Sequence, residues 1–220
     1  LISDKRVVLL SGHYGSGKTN IAVNLAEEFA KSSRVSLADL DIVNPYFRSV
    51  DSKDELTACG VRMICSEFAN TNLDVPALPP EMYSIVDDKS VRAIIDVGGD
   101  ERGALALGRL SDRIREEADY DMLLVINRFR PLTRTPEEVV EIAREIELAG
   151  RLAFTGIINC SNLGPETTAE TVLSSQEFGE QVSRIMNIPV VATAVEEQLA
   201  EELIGKIDNV FSLRLQKKPV

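Results

Sequence analysis

The sequence predicts an α/β fold, a three-layer α/β/α domain around a mostly parallel central sheet, and three observations carry that prediction. Short apolar runs alternate with longer amphipathic stretches from one end to the other, as they do in repeated strand–helix units. Several of those runs are unbroken rather than alternating, which is how strands covered on both faces read. The composition agrees, because 44% hydrophobic residues with no Trp and 5% aromatics leave Val, Ile, Leu and Ala to build the core. At 220 residues the chain is expected to form one domain, residues 1–220.

The elements follow in order. A first strand is expected over Arg6–Leu10, then a helix over Gly17–Lys31 that stacks Ile21, Leu25 and Phe29 on one face. Strands at Arg34–Ala38 and Val61–Cys65 come next. The stretch Asn70–Pro80, holding Pro76, Pro79 and Pro80, reads as a mobile loop. A strand at Val91–Val97 precedes a helix from about Gly103 to Glu117, and a strand at Met122–Ile126 precedes the most sharply bounded helix. There Thr135-Pro136-Glu137-Glu138 offers an N-cap hydroxyl, proline at the first helical position and two acids beside the positive helix end, and Gly150 closes the helix. Strands at Ala153–Asn159 and Pro189–Thr193 alternate with helices near Thr168–Met186 and Val195–Ile207. The last stretch, Ile204–Lys218, mixes apolar and basic residues and is read as a packed helix and tail rather than a membrane-surface helix.

Charge excludes some functions. With 24 Lys+Arg against 35 Asp+Glu the net charge is −11, so a uniformly basic surface for nucleic acid is ruled out and no direct nucleic-acid contact is expected. No run approaches the roughly 20 apolar residues of a membrane span. The opening LISDKRVVLL lacks the features of a signal peptide, so the reading is cytoplasmic, with no membrane contact. A start at Leu1 rather than Met predicts residues trimmed upstream. The three cysteines have no C-x-x-C spacing, which argues for small buried thiols and against a zinc or iron–sulfur site.

The chemistry begins at Gly12-His13-Tyr14-Gly15-Ser16-Gly17-Lys18-Thr19, which fits G-x-x-x-x-G-K-[ST] between a strand and a helix. Such a string arises by chance about once in a hundred chains of this length, and the flanking elements lower that further. Glycines let successive N–H groups turn inward on phosphate oxygens at a positive helix end. Lys18 is expected on the β- and γ-phosphates, and Thr19 on Mg²⁺. The binding set is therefore Gly12 to Thr19 with Asn20 beside it. Ile94-Ile95-Asp96-Val97-Gly98-Gly99 ends a strand in an acid and glycines, so Asp96 reads as the carboxylate near the metal and Gly99 as a backbone contact near the γ-phosphate. Asp39-Leu40-Asp41 ends the second strand, with Asp41 favoured for ordering the attacking water or a metal-bound water and Asp39 supporting. Asn127 and Asn159 each end a strand in an amide able to read a purine edge, and Asn159 is the chosen contact. The guanine-reading Asn-Lys-x-Asp string is absent, since the chain has Asn127-Arg128-Phe129-Arg130 and Asn159-Cys160-Ser161-Asn162, so ATP is expected over GTP.

In sum of motifs and order, GHYGSGKT, DLD, IIDVGG and IIN resemble the MinD/ParA/Mrp-type ATPases, a P-loop NTPase group with a deviant phosphate loop. That resemblance implies a nucleotide-dependent homodimer acting on a client protein, with catalytic Lys18, Asp41 and Asp96, metal contacts from Thr19, Asp41 and Asp96, and Asn159 on adenine. It also implies that Pro189–Glu197 carries the loop flanking the base. Two features depart from the pattern: His13 stands where the group has its signature lysine, and the proline beside the switch acid is displaced to Pro45. Arg48 is the nearby cation proposed by sequence to replace the lysine's charge. Two other functions fit the same motifs. One is an ATP-dependent small-molecule ligase resembling dethiobiotin synthetase, with its substrate pocket in Phe47–Pro80; the other is a non-catalytic nucleotide-sensing module.

Overall fold

Apolar runs this long must be covered on both faces, and they are. The computed structural model describes residues 2–40, 53–65, 78 and 80–216. Its strands, β1 (Val7–Ser11), β2 (Val35–Leu40), β3 (Val61–Cys65), β4 (Arg92–Val97), β5 (Tyr120–Ile126), β6 (Gly156–Asn159), β7 (Val190–Glu196) and β8 (Val210–Leu213), form one sheet in the order β3-β2-β4-β1-β5-β6-β7-β8. Every pairing is parallel. The helices are α1 (Lys18–Ala30), α2 (Lys53–Ala58), α3 (Pro80–Asp87), α4 (Glu101–Gly108), α5 (Ser111–Glu117), α6 (Pro136–Gly150), α7 (Ala169–Ser174), α8 (Gln176–Met186) and α9 (Glu197–Leu203).

Because side chains alternate across a strand, β1 sends Val7 and Leu9 to one core and Val8 and Leu10 to the other. The first core is closed by α3, α4, α5, α6 and α8, through residues such as Met82, Leu107, Ile114, Ile146 and Phe178. The second is closed by α1 and α2, through Ile21, Leu25, Phe29 and Leu56. A smaller cluster joins α7 and α9 to β7 through Val172, Leu203 and Val195. Three layers result, as the sequence predicts.

The boundaries of α6 are those expected. Thr135 Oγ1 accepts from Glu138 N while Glu138 Oε2 accepts from Thr135 N, a reciprocal cap. Gly150, however, is the last helical residue, and the left-handed position falls on Arg151 (φ 57°). A Cβ at Gly150 would sit 3.0 Å from Leu107 Cδ2, so this glycine serves the approach of α6 to α4. Four expectations are corrected. The helix over Gly103–Glu117 is two helices, α4 and α5, and that over Thr168–Met186 is α7 and α8, broken at Ser175. Residues Val195 and Glu196 belong to β7 rather than a helix. Residues Val210–Leu213 are strand β8, where a packed helix and tail were expected. Pro80, at the end of the expected loop, opens α3, and residues 70–77 lie outside the described set.

At the N-terminal edge of the sheet, Arg6 Nε bonds Glu117 Oε1 at 2.6 Å, and its terminal nitrogens reach the carbonyls of Val86, Asp88 and Val91. Lys89 pairs with the same glutamate. This cluster ties β1 to the α3–β4 turn and to α5, on the side of the sheet opposite the phosphate loop.

Candidate functional site

The chain goes from β1 outward to β2 and β3, returns to fill the gap with β4, then crosses β1 to β5. Strand order therefore reverses around β1, where crevices form at the carboxyl ends of parallel strands. Gly12–Gly17 lies in that crevice, between β1 and α1.

The loop is built by glycines in conformations that L side chains resist: φ is 144° at Gly12, 73° at Gly15 and 104° at Gly17. Close packing reinforces the choice. A Cβ at Gly12 would meet Val125 O at 2.3 Å, and one at Gly17 would meet Cys160 Sγ at 2.6 Å. Gly99, just past β4, lies against the loop backbone, where a Cβ would stand 2.3 Å from Gly12 O and 2.9 Å from Tyr14 N. Ser16 N closes the turn on His13 O, and Lys18 Nζ donates to the same carbonyl at 3.2 Å. Tyr14 is 52% exposed at the rim, and His13 is half-buried. Burial, and then the charge of Lys18, hold the His13 imidazole below its ordinary value of 6.5, so it is neutral at pH 7.

Thr19, the second residue of α1, donates from Oγ1 to Asp96 Oδ2 at 2.7 Å, and Asp96 is fully buried. Strand alternation explains the meeting, because Ile94 faces the α1 core and Asp96 two residues on faces the same way. Asp39 is the register partner of Asp96 across β2 and β4 and is buried too, so two carboxylates stand side by side next to Thr19. The hydroxyls of Ser11 and Ser16 are buried and, among the described residues, have no hydrogen-bond partner. Leaving such groups unmet costs about 1–3 kcal/mol each. Hard oxygen donors beside a cradle of glycine backbone with unmet hydroxyls fit a magnesium–phosphate group. Among the described residues no cluster of three or more His, Cys, Asp or Glu forms a separate metal site.

A second cavity opens beyond Gly17. It is lined by Gly17, Asn20, Cys160, Asn162, Thr167 and Glu196, with Leu213 and Leu215 as a further wall. The sequence places Asn159 on the base, and the structure holds its side chain in a buried network of protein hydrogen bonds. Asn159 is 1% exposed, its Nδ2 donates to both the carbonyl and the hydroxyl of Ser175, and its Oδ1 accepts from Ser161 N. Both amide hydrogens thus point at Ser175. The cavity's own amides are Asn20 and Asn162, and Asn162 stands at the fourth position of the Asn159-x-x-Asn162 string. Cys160 beneath Gly17 is an inert wall, since burial pushes its thiol up to about 12.

Asn127 organises the neighbouring loop instead of facing a ligand. Its Oδ1 accepts from Phe129 N and Asn162 N, and its carbonyl from the buried Thr133 hydroxyl. That loop delivers Arg130, whose Nε donates to Gly15 O at 2.9 Å. No motif announced it. Asp41, Pro45 and Arg48 lie outside the described residues.

Residues 7–205 match the family model for the CobQ/CobB/MinD/ParA nucleotide-binding domain. The chain belongs to that family. The match spans the phosphate loop, β4 with Asp96, and β6 and β7 beside the second cavity, so it is the nucleotide-binding core of a CobQ/CobB/MinD/ParA domain that the geometry above describes. Solved structures with the same fold include the cell division protein FtsY of Thermotoga maritima, at 19% identity and TM-score 0.58, covering 88% of this chain and 62% of that one. The signal recognition particle 54 kDa protein of Aeropyrum pernix in complex with GDP aligns at 16% identity and TM-score 0.53, over 85% of this chain and 40% of that one. FtsY of Mycoplasma mycoides aligns at 18% and 0.53, over 86% and 59%. The chain thus spans less than two thirds of each of these neighbours, and at such identities the likeness is one of fold. No curated protein sequence matches the chain. No helix among the described residues is long and apolar enough to cross a membrane.

Proposed function

We propose that this family member is an ATP-driven switch, an ATPase that couples nucleotide state to the binding of a partner protein, working as a homodimer. The observation that carries the reading is the Thr19 hydroxyl held at 2.7 Å from the Asp96 carboxylate at the foot of the glycine loop, with Lys18, the first residue of α1, reaching back to the loop carbonyl of His13. Thr19, Asp96 and Asp39 would hold a magnesium ion, which when bound neutralises phosphate charge and orients the polyphosphate. Lys18 adds a further positive charge to the phosphates, and the loop N–H groups stabilise charge that builds during phosphoryl transfer. Asp41, next in sequence after β2, is assigned to orienting the attacking water. The adenine preference rests on Asn162, an amide where a guanine-reading acid would stand, with Asn20 as the other amide of the cavity.

The test is magnesium-dependent binding and hydrolysis by the purified chain, with ATP and GTP in competition. Tight, magnesium-dependent ATP binding that is lost in Thr19→Ala supports the reading, and absence of binding to either nucleotide refutes it. A GTP preference removed by Glu196→Gln would transfer base recognition to the one carboxylate on the cavity wall among the described residues. Sedimentation with and without a non-hydrolysable ATP analogue tests the dimer.

A further inference from the structure

The residue after the first loop glycine is His13, where the resembling ATPases have a lysine, and burial lowers its pKa. Another cation reaches the loop from 115 residues away. Arg130 lies in the segment after β5, which Asn127 folds into a tight structure. Arg130 N donates to Asn127 O, Thr133 N to Arg130 O, and Arg128 N to Ser161 Oγ. Within this segment the two arginines part. Arg128 turns away, donating Nη1 to Ser174 O and lying over the rings of Phe129 and Phe178, while Arg130 turns to Gly15. Its Nε and Cδ stand 3.5 and 3.6 Å from where a Gly15 Cβ would be. The arginine therefore lies in van der Waals contact with the loop at position 15.

The rest of the guanidinium is uncommitted. Only Nε is engaged, and among the described residues Nη1 and Nη2 hold no hydrogen bond and face no carboxylate in an ion pair. The fork is half-buried against the phosphate loop, with Nε held on the carbonyl of Gly15 and the Nη edge left for another acceptor. A guanidinium presents parallel N–H donors whose geometry matches phosphate oxygens, and it stays charged where a histidine does not.

We propose that Arg130 is a phosphate-binding residue acting within its own chain, its free Nη edge engaging the polyphosphate of the bound nucleotide. The inference rests on the nucleotide-binding reading above. Arg48, the cation that sequence proximity suggests, lies outside the described residues, whereas Arg130 is one that the tertiary structure brings to the loop.

The experiment measures affinity for a fluorescent N-methylanthraniloyl ATP, and its dependence on salt, for the purified wild type, Arg130→Gln, Arg130→Lys and Arg128→Gln. Thermal midpoints of the nucleotide-free proteins are measured alongside. Loss of a charge-assisted contact predicts about tenfold or greater weakening in Arg130→Gln, with a shallower salt dependence. Arg130→Lys should recover part of the affinity and the wild-type salt dependence, and Arg128→Gln should stay within about twofold of wild type. Wild-type affinity in Arg130→Gln overturns the proposal. So does an Arg130→Lys as weak as Arg130→Gln with unchanged salt dependence and a lowered thermal midpoint, because that is the signature of a residue that merely shapes the loop. A wild type that binds no nucleotide overturns the functional reading itself, a result distinct from either.

Discussion

Gly17→Ala tests the packing of the phosphate loop most directly. Two separate costs are built into that position. The backbone sits at φ 104°, ψ 7°, where an alanine is strained by about 1–3 kcal/mol. The new methyl would also lie 2.6 Å from Cys160 Sγ, well inside the ~3.5–4 Å of an ordinary contact. Cys160 is buried under the loop and cannot swing out, so overpacking adds about 1–3 kcal/mol. The total, about 2–6 kcal/mol, is a large part of the ~5–15 kcal/mol that stabilises a typical domain. Cys160→Ala separates the two costs. It removes the sulfur and leaves Cβ, 3.7 Å from the new methyl, and because the thiol is protonated no charge is lost. In the double variant only the backbone strain should remain, giving a favourable coupling of about 1–3 kcal/mol. Urea unfolding of wild type, both single variants and the double variant, with matched m-values, measures it. A coupling below about 0.5 kcal/mol would refute the argument that sulfur contact makes glycine necessary here.

Four further outcomes are expected. Asp96→Asn should weaken magnesium-dependent nucleotide binding about tenfold or more while leaving magnesium-free binding nearly unchanged, since the Thr19 hydroxyl keeps an acceptor but the metal loses a charge; equal loss with and without magnesium, by calorimetry, contradicts the metal assignment. His13 has its folded value lowered from 6.5, so the unfolded chain takes up a proton first as pH falls. Stability from this group is present above pH 6.5 and is lost as pH drops through the folded value. Melting of the nucleotide-free protein should fall more steeply below pH 6.5 for wild type than for His13→Gln, and parallel curves would remove His13 from the account. Bound phosphate favours the imidazolium, so nucleotide affinity should rise from pH 8 to 6 in wild type and less in His13→Gln. Finally, Arg6→Ala leaves Glu117 almost buried without its guanidinium and should cost about 3–5 kcal/mol in urea unfolding without changing nucleotide affinity. A cost under about 1 kcal/mol would show that Lys89 alone satisfies the carboxylate.

What the sequence determined by itself is local. The phosphate loop was legible because its residues are contiguous and its glycines answer to backbone conformation, and Asp96 because an acid ending an apolar run is itself a contiguous signal. The helix α6 was legible for the same reason, its cap and its proline lying within four residues. The central strands announced themselves as unbroken apolar runs, whereas β8, a four-residue edge strand with only Leu213 buried, left no such trace. The chain's alternation gave the fold class, but the order β3-β2-β4-β1-β5-β6-β7-β8 depends on pairings between distant segments that leave no mark in either partner alone. From that order come the Asp39–Asp96 pair, the sulfur of Cys160 beneath Gly17 and the arrival of Arg130 at Gly15. Asn159 shows the same division: a strand-ending amide is visible in sequence, but its partner, Ser175, was set by how α8 packs on β6. Hydrogen bonds saturate, so whichever group packing brings first to a buried amide decides what that amide can still bind.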